Sequence, residues 1–253
     1  MARSSLSVVF SGRGGAGAMS AGELLLRAAA DLGYYGLMSR LFGAQVRGGE
    51  AAALVQISTE PVTCQPDRFD LFVALDWEKV DQFASEIPLD ENTVIIADPQ
   101  SGPTPQSIAR SKAKTIPFSM SNADATPLER ALQSKYTNVF AAGAVAALTG
   151  LPADALQSAL SAVLGGKSAT VTRANADTLA AGIAAADTLD LDLRLAPPHT
   201  APRWLLTGNQ AVAVCALSAV TPSRRRRTSS NGCRRNSRIS VVGWCSRRTS
   251  LPP

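Results

Sequence analysis

"SLSVVFSGRGGAGAMSAGELLLRAAADLG" occupies Ser5–Gly33. "SLSVVFS" (Ser5–Ser11) reads as a buried first strand. "GRGGAG" (Gly12–Gly17) follows as a turn. "AMSAGELLLRAAADLG" is then a helix with Leu24, Leu25, Ala28 and Leu32 on one side and Gly33 as its stop. Strand, glycine turn and helix place backbone N–H groups and a helix N-terminus at the strand's carboxyl edge, where an anion can be held. Gly12, Gly14, Gly15 and Gly17 are therefore candidate contacts for a phosphate or for a partner's cofactor. The competing reading is that small residues only let helix and strand pack closely. The spacing is G-x-G-G-x-G, not the dinucleotide G-x-G-x-x-G, and no clear acidic residue follows ~20 positions on, so a free-standing NAD site is disfavoured.

Working outward, "GLMSRLF" (Gly36–Phe42) and "AAALVQIS" (Ala51–Ser58) are strand candidates joined by "GAQVRGGE". Gly48 and Gly49 permit positive φ and close approach of another chain. Arg47 beside them carries a fork suited to carboxylate or phosphate, or is simply a surface arginine in a hairpin-like turn. "DLFVALD" (Asp70–Asp76) and "TVIIAD" (Thr93–Asp98) look like buried parallel strands, and "KTIPFSM" like a last strand. Asp70 and Asp76 flank one strand and could be a carboxylate pair, although such residues more often cap strands and helices.

After about Asn122 four helical segments follow: "TPLERALQSKY", "NVFAAGAVAALTG", "PADALQSALSAVLGG" and "RANADTLAAGIAAAD". Pro152 sits at a helix start, and Gly150 and Gly165 at helix ends. Strands alternating with helices, then a helical end, argue for one α/β layered domain over residues 1–187. "TLDLDLRLAPPHTAPRWL" is Pro-rich and gives a linker over residues 188–204. It holds His199, the only histidine, expected to be exposed and idle, so no Ser/His/Asp set can be built. A new unit opens at residues 205–219, and a basic tail fills residues 220–253.

The charge belongs to that tail. The chain of 253 residues has 25 basic and 20 acidic side chains, and nine of its arginines lie in the last 34 residues. Without them 16 bases face 20 acids, so the body is mildly acidic. No run of 18 apolar residues exists, so no membrane span is expected. Cys64, Cys215, Cys233 and Cys245 have no metal or disulfide-framework spacing, which makes a reducing cytoplasm the default.

The stretch from Ser11 to Ser58 resembles the gamma domain of 2-oxoacid:ferredoxin (acceptor) oxidoreductases, with its G-x-G-G-x-G turn, an A-G helix, G-Y-Y and V-R-G-G-E in order. "NVFAAGAVAALTGLPADALQSAL" and "RANADTLAAG" look like later helices of that domain. Ala16 stands where the family usually has glutamine. The resemblance implies a three-layer Rossmann-like domain with a helical C-terminal part. "GNQAVA" (Gly208–Ala213) looks like the opening of the alpha, pyrimidine-binding domain that follows in a fused subfamily. The implied enzyme oxidatively decarboxylates a 2-oxo acid to its acyl-CoA and reduces ferredoxin or a similar acceptor. Thiamine diphosphate and iron–sulfur clusters do the chemistry in the complex, most of them supplied by a beta subunit. This chain shows no cluster cysteines and no G-D-G…N thiamine signature, so it is expected to hold none of these cofactors alone and to be inactive alone. The resemblance carries no catalytic residue onto this chain. It gives the gamma domain a part in assembly and in coenzyme A handling.

The fused family would continue past "GNQAVA" with Y-P-I-T-P, an acidic helix and E-D-E. "TPSRRRRTSSNG" (Thr221–Gly232), read one nucleotide back, can be encoded so that the shifted frame spells Y-P-I-T-P-A-A-D-V-L-E-W. The same shift allows "WCSRRTSLP" (Trp244–Pro252) to be encoded so that it spells L-V-Q-S-E-D-E-L-A. The tail thus reads as GC-rich codons out of frame, with the alpha domain truncated and the tail itself disordered. The alternative is an orphan Rossmann-like binding module with an arginine-rich nucleic-acid-binding arm. That arm lacks the interleaved aromatics of a single-strand binder, which disfavours nucleic acid as a partner.

Overall fold

The computed structural model describes residues 2–42, 49–78, 80–82, 84–120, 136–220 and 244–248. Strand β1 (Ser5–Arg13) lies at the centre of one sheet. On one side it pairs in parallel with β4 (Leu71–Ala74), which pairs with β5 (Val94–Ala97) and then β6 (Lys114–Pro117). On the other side β3 (Glu50–Ser58) runs antiparallel, from Ser5 opposite Ser58 to Arg13 opposite Glu50. β2 (Tyr35–Phe42) pairs antiparallel with β3. Every residue of β4 is buried, as the unbroken apolar run of a parallel strand covered on both faces requires.

The helices fall mainly on one face. α1 (Ala18–Asp31), α3 (Thr137–Thr149), α4 (Ala153–Val163) and α5 (Ala169–Ala185) share a core with Leu6, Val8 and Phe10. The opposite face is thinner. Val9, Leu54, Phe72 and Ile95 are covered there by Trp77, by two single helical turns (Val80–Gln82 and Ala84–Glu86) and by the short α2 (Gln106–Ala109). The Phe72 and Trp77 rings stack with centroids 6.1 Å apart. The expected layered α/β architecture is present, with unequal outer layers. The helix expected over "TPLERALQSKY" falls outside the described residues, apart from Tyr136.

The segment read as a linker packs instead on the domain. Leu189, Leu193 and Leu195 are buried, and the N–H groups of Leu193 and Leu195 donate to the carbonyls of Leu148 and Thr149. Arg3 and the strap exchange two backbone bonds, Arg3 N–H to Arg194 O and Ala196 N–H to Arg3 O, each 2.8 Å. Further on, Arg203 donates from its backbone to Ala30 O and from Nε to Gly33 O, and its guanidinium sits 3.4 Å above the Tyr35 ring. The cause is visible in "LDLDLRL", where leucines alternate with polar residues in the period-two pattern of a half-buried extended segment. The helix α6 (Gly208–Val220) follows, with Val212 and Leu217 exposed.

The tail corrects a second expectation. Trp244–Arg248 forms β7, parallel to β2, with Met38 opposite Trp244 and Phe42 opposite Arg248. A bare β2 edge would present a row of backbone donors and acceptors that any extended segment can pair. Residues 221–243 and 249–253 lie outside the described residues.

Candidate functional site

The glycine turn is set by what β1 meets at its carboxyl end. Leu75 N–H donates to Ser11 O, joining the ends of β4 and β1. One residue on, the Asp76 carboxylate accepts the Arg13 N–H at 3.0 Å (Oδ1) and 3.2 Å (Oδ2). Asp76 Oδ1 also accepts the Glu78 N–H at 3.0 Å. Arg13 then reverses the chain, its carbonyl taking the Ala16 N–H at 3.0 Å. Gly17 is the N-cap of α1, left-handed at φ 87°, and its carbonyl accepts from Ala21. No side chain caps α1 and no acid lies in its first turn.

The four glycines divide by role. A Cβ on Gly12 would lie 3.0 Å from Ala16 Cβ and 3.2 Å from Asp76 Oδ2. A Cβ on Gly17 would lie 2.6 Å from Asn138 Cγ, at the start of α3. These two are packing glycines. Gly14 spends its N–H on Gly49 O. Gly15, at φ 96°, has open space where a side chain would project. Of the basic turn, Arg47 and Gly48 fall outside the described residues, while Gly49 is buried against the glycine turn. The fold thus brings the end of one unusual stretch to the other.

Electrostatics bias the turn toward its helical end. Burial raises the Asp76 pKa, against the bonds from the Arg13 and Glu78 N–H groups and the nearby Arg13 charge. A carboxylate at the Gly12 end repels an anion, so an anion is best met near Gly15–Ala18, where the helix N-terminus contributes positive potential. Asp70 is not the partner of Asp76. It sits at the other end of β4 and accepts from Ser7 N (2.8 Å), Ser7 Oγ (2.7 Å) and Arg3 (3.0 Å). Asp98 closes β5 in the same manner as Asp76 closes β4, accepting from Gln100 N and Met120 N. His199 is exposed. Among the described residues no three His, Cys, Asp or Glu side chains are grouped to hold a metal ion, and no helix is long and apolar enough to cross a membrane.

Asn138 gives no motif of its own in the sequence. Asp76 does, as the Asp that ends an apolar run, and the structure makes it the cap of the carboxyl end of β1. Behind the turn, α1, α3, α4 and α5 border a cleft of about 240 Å³ lined by Ser20, Leu24, Asn138, Leu160 and the buried Asn175.

The profile of the pyruvate ferredoxin/flavodoxin oxidoreductase family matches residues 7–185. The common gamma subunit of the pyruvate and ketoisovalerate oxidoreductases of Pyrococcus furiosus is 29% identical over 176 residues, covering 66% of this chain and 94% of that subunit. A solved 2-oxoglutarate:ferredoxin oxidoreductase from Magnetococcus marinus, with 2-oxoglutarate, coenzyme A and succinyl-CoA bound, superposes with TM-score 0.66 at 26% identity. That match covers 81% of this chain, which spans only 35% of the Magnetococcus chain. A keto/oxoacid ferredoxin oxidoreductase gamma subunit from Geobacter sulfurreducens shares the fold, with TM-score 0.52 at 24% identity over 72% of this chain and 99% of that subunit.

Proposed function

The chain belongs to the pyruvate ferredoxin/flavodoxin oxidoreductase family, and from that membership we propose that it is the gamma-bearing subunit of a complex that oxidatively decarboxylates a 2-oxo acid. The carboxylate leaves as carbon dioxide, the acyl group passes to the thiol of coenzyme A, and the electrons go to ferredoxin or a similar acceptor. The observation that carries this reading is the family match over residues 7–185, continuous through the glycine turn and the helical end. The coenzyme A and succinyl-CoA bound to the Magnetococcus relative support the substrate class. Thiamine diphosphate and iron–sulfur clusters, which supply the carbanion and electron-transfer chemistry when bound, are assigned to a beta subunit. Among the described residues no three His, Cys, Asp or Glu side chains are grouped in a way that would hold a cluster.

Within this reading the Gly15–Ala18 end of the turn, next to Gly49, meets a phosphate of coenzyme A, and Arg47 and Gly48, which fall outside the described residues, contribute to holding it. Neutral backbone donors at a helix N-terminus with no acid in its first turn support that role. Residues 205–219 are the opening of an alpha domain and residues 220–253 its out-of-frame continuation.

Three measurements test this. Co-expression with the adjacent reading frame should yield a stable complex with a thiamine-dependent, cluster-bearing subunit, and failure to find one would remove the enzyme reading. The purified chain alone, given 2-oxo acid, coenzyme A, thiamine diphosphate and an acceptor dye, should reduce no dye. Resequencing around the codon for Val220 should reveal a single-base change that restores Y-P-I-T-P, and a clean locus with no such frame would overturn the frame reading.

A further inference from the structure

We propose that Asp76 is the positioning residue of the glycine turn, fixing the backbone from Gly12 to Gly17 in the shape that receives a phosphate. This rests on the coenzyme A reading of the turn and adds to it a residue that touches no ligand. Three observations converge. Both carboxylate oxygens lie within hydrogen-bond distance of one N–H, that of Arg13, the last residue of β1. Arg13 O in turn accepts the N–H of Ala16, so the first bond of the turn hangs from the residue Asp76 holds. Gly12 is closed against the same carboxylate, where a Cβ would come within 3.2 Å of Oδ2.

Asp76 itself is immobilised by the backbone around it. Leu75 N–H is bonded to Ser11 O, and Oδ1 also holds the Glu78 N–H. The charged groups facing it are Arg13, whose Nε is 4.0 Å from Oδ2, and the like-charged Glu78. Burial disfavours the ionised form, so the charge sits there at a cost to the fold. A neutral acceptor would hold the same N–H groups without that cost. What the turn needs from the side chain is therefore acceptor geometry, not charge.

The experiment compares Asp76→Asn, Asp76→Glu and Asp76→Ala in the full chain. The amide of Asn keeps one oxygen where Oδ1 accepts both N–H groups. Glu keeps the charge but displaces it by a methylene, and Ala removes the acceptor. Calorimetric titration with coenzyme A should find Asn within about twofold of wild type, and Ala and Glu weakened about tenfold, on the scale of one lost positioning hydrogen bond. Hydrogen exchange should accelerate at Arg13–Ala18 in Ala and Glu, and stay as in wild type in Asn and throughout Leu6–Phe10. Wild-type exchange and affinity in Glu and Ala would overturn the proposal, as would loss in Asn equal to that in Ala. If wild type binds no coenzyme A, the coenzyme reading of the turn falls and the exchange pattern alone decides Asp76. If Ala does not fold, Glu against Asn decides it.

Discussion

At the amino end of β1 the backbone is tied from several sides. Asp70 takes the Ser7 N–H, the Ser7 hydroxyl and the Arg3 guanidinium, and the strap after Leu193 pairs with Arg3 on both sides of one residue. The same strap closes over the end of α1 through Tyr34, Gly33 and Arg203. At the carboxyl end one half-buried carboxylate and one backbone bond from Gly14 to Gly49 hold a turn that opens at Gly15. In α/β sheets ligands are met outside the carboxyl ends of the strands. The contrast says that stability is concentrated at one edge so that the other can stay shaped but uncovered.

The sharpest test sets two left-handed glycines against each other. Gly33 has φ 102°, and a Cβ there would lie 2.2 Å from the Thr200 carbonyl oxygen. Gly33→Ala combines left-handed strain of about 1–2 kcal/mol with a backbone clash costing about 1–3 kcal/mol. Urea or thermal unfolding should show a loss of about 2–5 kcal/mol. Gly15→Ala, with a similar φ but open space, should show the strain alone, about 1–2 kcal/mol. Equal losses at the two sites would break the comparison.

Asp70→Ala comes next. It strands the Ser7 N–H, leaves the Ser7 hydroxyl its bonds to the Arg68 carbonyl and the residue-70 N–H, and frees Arg3. Leaving a buried donor unsatisfied costs about 1–3 kcal/mol. Urea unfolding should place the variant within that range. A loss within ±0.5 kcal/mol would mean that the amino edge is not where stability is held.

How far the sequence discloses these edges depends on how local the cause is. The strand–turn–helix of Ser5–Gly33 is local, and it is found as read. The meeting of Gly14 with Gly49 is not local, but two glycine-rich stretches at the ends of paired strands could be placed together once β1 and β3 pair. The strap is hidden in the sequence because Pro197, Pro198 and Pro202 give the stretch a linker's composition, which outweighs the alternating leucines ahead of them. Asn138 leaves no mark in the sequence, since its contact with Gly17 joins residues far apart in the chain that meet only when α3 packs beside α1. Asp76 and Asp70 look alike in "DLFVALD", and only the strand direction tells which edge each one serves.

Arg203→Ala probes the strap by itself. It removes the contact with the Tyr35 ring and the Nε bond to Gly33 O, and leaves the Arg203 backbone bond to Ala30 in place. The cation–π term at a partly exposed site is about 0.5–1 kcal/mol, and the hydrogen bond adds about 0.5–1.5 kcal/mol. Limited proteolysis should cut the variant faster between Ala196 and Thr207, with the protected core unchanged. Unchanged cleavage would make the strap's hold a property of its leucines alone.

The smallest effect separates two aspartates by the sign of their response to acid. Burial raises Asp76 above the ordinary aspartate value, so the folded protein binds its proton more tightly than the unfolded chain does. Stability therefore falls as pH rises from the ordinary aspartate value through Asp76's raised one, and the penalty is constant above that window. Asp90, in the exposed turn before β5, is shifted the other way, chiefly by the Asn92 N–H. Its contribution is complete above the ordinary value and is lost as pH falls through the lowered one. Asp76→Asn should consequently gain on wild type as pH climbs through its window and hold that gain at neutrality. Asp90→Asn should match wild type in acid and fall behind above it. Urea midpoints measured from acid to neutral pH read both differences. Parallel curves for Asp76→Asn and wild type would show that the carboxylate costs the fold nothing, and would remove the argument that its charge is tolerated for the sake of its geometry.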